Sequence, residues 1–97
     1  KVPYNIPESD LKKIADIVDD MEKVQKMMFV KDCCKAFPEQ VNKIKGKDFD
    51  FKTEQKKSKL SNKDFIHSIG MWDEYVEFVR EQREIYDKRI VDNEKAY

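Results

Sequence analysis

Glycine and proline are scarce in this 97-residue chain, which has 2 Gly and 3 Pro. A turn-rich β-sandwich or a nucleotide fold with a glycine cradle needs more of both, so neither fits. Leucine is nearly missing as well, with 2 residues against 8 Ile and 8 Val. β-Branched side chains are modest helix formers. Packing, within the chain or against a partner, must therefore supply most of the stability. No apolar run approaches the roughly 18 residues of a membrane span. Histidine occurs once and cysteine twice, which leaves no four-ligand zinc set and no disulfide framework. Cys33 and Cys34 are adjacent, and a bridge between neighbours needs a strained backbone. They read as two small packing residues in a reduced compartment, which favours an intracellular location. The chain opens on Lys1 rather than Met. A fragment or processed product is the expectation, with room for a removed targeting segment.

Charge is abundant. Charged residues make up 41% of the chain, with 20 Lys+Arg against 20 Asp+Glu and a net charge of zero. That zero is a cancellation. Residues 1–30 are slightly acidic, 31–63 carry 10 Lys against 5 acids, and 64–97 carry 5 basic groups against 9 acidic. Leu, Ile, Val and Phe together reach about a quarter of the chain, above the level that accompanies disorder. The expectation is a single helical domain spanning 1–97.

Two long helices are legible. In the first, about residues 7–37, Asn5 or Ser9 can cap, Pro7 suits a first turn and Glu8 favours the positive dipole end. Leu11, Ile14, Ile17, Val18, Met21, Val24 and Met28 then recur at steps of three and four. Met27, Phe29, Val30, Cys33, Cys34 and Phe37 widen the stripe, which predicts that 27–37 lie mid-core. Pro38 predicts an end or a kink. A short helix over 38–45 follows, with Val41 and Ile44 on one face and Gly46 as its stop. Residues 46–61 read as a lysine-rich loop that Phe49 and Phe51 tack to the core or offer to a partner.

The second long helix, about 62–92, opens with Ser61 as cap, Asp64 at the third position, and Leu60 and Phe65 as a staple. Phe65, Ile69, Trp72, Val76, Val79, Arg83, Tyr86 and Ile90 follow in a coiled-coil-like seam with one polar interruption. Glu74, Glu77, Glu81 and Glu84 fall on a far, solvated side. The fold class is thus all-α, an antiparallel helical hairpin with a short connecting helix, bundle-like.

Both helices carry more apolar surface than a hairpin can bury. Met71, Trp72, Tyr75, Phe78 and Ile85 on one, and Ile17, Val24 and Met28 on the other, are the candidate interaction residues. Exposed apolar patches of that size mark interaction sites, and large rings such as Trp72 and Tyr75 are natural anchors. The function expected is a non-enzymatic protein-interaction or assembly module, an oligomer or a subunit of a larger complex. The alternative is nucleic-acid contact through Lys43, Lys45, Lys47, Lys52, Lys56, Lys57, Lys59 and Lys63. Every basic residue there is lysine, a point charge without the arginine fork.

Little points to catalysis. A Cys34 nucleophile with His67 as base needs an orienting group and an oxyanion site, and neither is signalled. Asp16, Asp19 and Asp20 lack the converging loop oxygens of a cation site and read as a solvated face with Asp19–Lys23 and Glu22–Lys26 pairs. No catalytic residue, cofactor or metal is expected.

Overall fold

A computed structural model describes residues 6–95, with side chains described through residue 89. Among these there is no strand, and five helices pack together. They are α1 (Glu8–Ile17), α2 (Lys23–Lys45), α3 (Phe51–Ser58), α4 (Asn62–Ser68) and α5 (Trp72–Lys95). The fold is all-α. The two matched long helices are each divided, and the expected loop contains a helix of its own. Asn5, one candidate cap, and the Ile90 side chain lie outside the described residues. Ser9 falls inside α1, and Pro7 precedes it as the cap residue.

α1 stops at Ile17, where Asp19, Asp20 and Glu22 follow. Carboxylates are disfavoured at the negative end of a helix dipole, and Asp competes for its own backbone. The Val18 N–H reaches the Ile14 and Ala15 carbonyls, and the Met21 N–H on the Val18 carbonyl closes a turn. The Asp19–Lys23 spacing therefore straddles this break, while Glu22 is the cap residue of α2 and Lys26 lies one turn in.

Pro38 does not end the helix, because α2 continues through it to Lys45. Its φ suits a helix, so the penalty is one lost hydrogen bond and a ring contact, up to about 3 kcal/mol. What lies beyond offsets it. Val41 is wholly buried, and Asn42 Oδ1 accepts the Phe51 N–H at 2.9 Å. Gly46, at φ 95°, ends the helix as expected.

α3 exists because Phe51 docks. Its ring meets Phe65 edge-on with centroids 4.9 Å apart. Phe49 packs on the core margin, beneath Lys45 Nζ at 5.4 Å from the ring centre. Both rings tack the segment down. α4 begins as its sequence predicts, with Ser61 Oγ accepting the Asp64 N–H at 3.2 Å. It ends at Gly70, φ 74°. The Met71 N–H bonds the Ile66 carbonyl at 3.1 Å and the Gly70 N–H bonds His67 at 3.0 Å. That six-to-one and five-to-two pair is a Schellman cap, with buried Ile66 and Met71 in its apolar positions.

The core gathers on α2 and α5. Tyr75, Phe37, Phe51, Ile66, Val41 and Val79 are the largest fully buried side chains. Buried rings need partners for their polar atoms. Tyr75 Oη donates to the Val30 carbonyl at 3.2 Å, and Trp72 Nε1 donates to that of Asp10 at 3.2 Å. Phe29 meets Tyr86 while Phe37 meets Tyr75 and Phe78. Partner numbers thus rise along α2 as they fall along α5, so the two helices run in opposite directions. α5 also packs against α1 and α4. The molecule measures 50 × 31 × 18 Å.

Candidate functional site

Three of the eight interaction candidates belong to the core. Met71, Trp72 and Tyr75 are 5%, 4% and 0% exposed. The cap at Gly70 turns the chain so that these residues open α5 against α4, α2 and α1, not against solvent. Phe78 is half-buried, its ring tilted on Phe37 at 5.4 Å. Ile17 is half-buried in a separate, charged groove between α1 and α5, beside Lys13, Asp73 and Arg80. Val24, Met28 and Ile85 are exposed at 67%, 61% and 45%. The expectation that 27–37 lie mid-core fails at its start, since Met27 is 67% exposed. Only Cys33, Cys34 and Phe37 of that stretch are buried.

Met28 and Ile85 share a groove, whereas Val24 and Met27 lie outside it. That groove, of about 570 Å³, runs between the first half of α2 and the second half of α5. Met21, Met28, Phe29 and Ala36 line one side, and Gln82, Ile85 and Tyr86 the other. A second groove, about 340 Å³, continues between the later part of α2 and the start of α5, on Phe37, Ile44 and Phe78. Residues four or seven apart share a helix face. Phe29, Ala36 and Gln40 therefore align along α2, as do Phe78 and Ile85 along α5. The two grooves are one face of the antiparallel pair. Its far end is acidic, with Asp73, Glu74, Glu77 and Glu81 around Ile44 and Phe78.

Ile44, Phe29, Tyr86 and Met21 escaped notice as interaction residues. Spacing alone links Ile44 to Phe37, seven positions earlier. That link is lost once Pro38 is taken to end the helix.

The lysines of the basic segment face solvent at Lys43, Lys45, Lys47, Lys52, Lys56, Lys57 and Lys59, while Lys63 is half-buried. They are spread over the end of α2, the turn after it, α3 and α4. Asp48, Asp50 and Glu54 are interleaved, and Lys57 lies 3.9 Å from Glu54.

Burial pushes the Cys33 thiol up to about 11, and it raises the Cys34 thiol in the same direction. Both stay protonated near neutrality, where a nucleophile needs thiolate. His67 Nε2 lies 2.7 Å from Asp10 Oδ2, tying α4 to α1. Among the described residues no cluster of His, Cys, Asp and Glu is placed to hold a metal ion. No described helix is long and apolar enough to cross a membrane.

No protein-family model, no curated protein and no solved structure matches the chain.

Proposed function

We propose that the chain is a non-enzymatic protein-interaction module that docks a helix on the face shared by α2 and α5, within an oligomer or a larger complex. One observation carries the reading. Met28, Ile44 and Ile85 are 61%, 60% and 45% exposed and lie along the same antiparallel helix pair. Half-buried Phe29, Phe78 and Tyr86 fill the floor between them. Methionine adapts its shape to varied partners, and a groove between two helices accepts a third by ridge-into-groove packing. In this reading the α2/α5 pair is the hairpin of the module, and the remaining helices brace it.

The test is the mass in solution of the chain mixed with a synthetic 18-residue helix bearing Leu at steps of three and four and Gln elsewhere. A one-to-one complex is expected, lost on Ile85→Glu while helical circular dichroism stays unchanged. Ile85 suits the test better than Phe78, whose ring packs on Phe37. Binding that ignores Ile85→Glu contradicts the reading.

A second reading, contact with nucleic acid, is favoured by the exposure of Lys52, Lys56, Lys57 and Lys59 on and just after α3. Polyanion binding falls steeply with salt in proportion to the phosphates neutralised, whereas docking by apolar burial does not.

A further inference from the structure

Resting on the reading of the α2/α5 face as a docking site, we infer that its occupant is a basic amphipathic helix of another protein, with Lys or Arg beside a Leu-type stripe. The end of the groove nearest Ile44 sets this chemistry. Its floor is apolar, and Glu74, Glu77 and Glu81 stand exposed along its α5 edge. Among the described residues none of the three makes an ion pair with a cation of the chain. Asp73, at the same end, has one in Lys13 at 3.1 Å. Side chains at helical steps of three and four stand on Cβ atoms about 5–6 Å apart, and like charges there repel. An acidic or neutral occupant leaves that repulsion in place; a basic one relieves it while its apolar stripe covers Ile44, Phe78 and Ile85. From Phe29 to Ile44 the face runs about 22 Å along α2, which a helix of about 15 residues matches.

The experiment titrates the whole chain with three 18-residue helices that share one Leu stripe and carry Lys, Gln or Glu elsewhere. Affinities are read by calorimetry at about 0.1 M and 1 M salt, where the screening length falls from about 10 to 3 Å. The Lys helix is expected to bind about tenfold tighter than the Gln helix at low salt, a gap that closes at high salt. The triple variant Glu74→Gln, Glu77→Gln, Glu81→Gln removes the gap. A control with the same loss of charge elsewhere, Glu8→Gln, Asp16→Asn, Asp19→Asn, keeps it. Equal binding of the Lys and Gln helices, both sensitive to Ile85→Glu, overturns the basic partner and leaves the docking face standing. Binding of neither helix removes the docking face itself. If the chain alone gains mass with concentration and Ile85→Glu abolishes the gain, the occupant is a second copy and the inference is overturned.

Discussion

Arg83 Nη1 donates a hydrogen bond to the backbone carbonyl of Ile17 at 3.0 Å, across 66 positions of sequence. Ile17 is the last residue of α1, whose final turn has no basic side chain of its own. α5 therefore lends the cation that a helix C-terminus favours, and the guanidinium spends its other nitrogens on Asp20 and Asp87. The single polar interruption of the α5 seam is thus a cap delivered from another helix.

Arg83→Met keeps the apolar stem and removes the donors. It is expected to destabilise the fold by about 1–2 kcal/mol, most of it from the half-buried carbonyl contact. Asp87→Asn, at an exposed pair, is expected to stay within about 0.5 kcal/mol. Urea unfolding gives both numbers, and amide exchange should quicken in α1 before the rest.

Acid acts on the same contact. The hydrogen bond from Arg83 holds the exposed Asp20 carboxyl below its ordinary value. A depressed carboxyl adds stability above its unfolded pKa, about 3.9, and loses it as pH falls through the folded value. The melting temperature of the wild type should fall more between pH 4 and pH 2 than that of Asp20→Asn. Equal falls contradict the linkage.

Two backbone positions call for opposite substitutions. Gly70 holds φ 74°, and an added Cβ meets nothing within 4 Å. Gly70→Ala should then cost only the left-handed backbone penalty, about 1–2 kcal/mol. Lys59 holds φ 62° with a full side chain. Lys59→Gly should stabilise by about 0.5–1 kcal/mol. Thermal or urea unfolding of the two variants reads both signs.

The thiols report on the core. With Cys33 held at about 11 by burial, only about 0.1% is thiolate at pH 8. Alkylation followed by mass spectrometry should label neither Cys33 nor Cys34 in the native chain within the time that labels both in urea. Rapid native labelling places them outside the core.

Local chemistry was legible. Ser61 with Asp64, and Gly46 as a stop, state their roles in the residues themselves. The class was legible too, because apolar steps of three and four leave no strand reading. Breaks were harder. The Schellman cap at Gly70 was written in the residue type, yet Ile69 and Trp72 continue the seam across it and mask it. Pro38 misled in the other direction, since its tolerance depends on Val41 and Asn42 finding partners in α3, which no local pattern shows. Those two errors carried over to the candidate site. Met71 and Tyr75 share an arc with Phe78 on an unbroken helix, but the turn at Gly70 buries them. Ile44 could join the face only once α2 passed Pro38.

The most direct measurement uses the four methionines as built-in reporters of the α2/α5 face. Carbon-13 methyl spectra would be recorded while the Leu/Lys helix is added. Met28, which lines the groove, should shift in proportion to binding, while Met27, on another side of α2, and Met71, in the core, should stay in place. Shifts at Met27 or Met71 equal to those at Met28, or none at Met28 when binding is saturated, would contradict docking on this face.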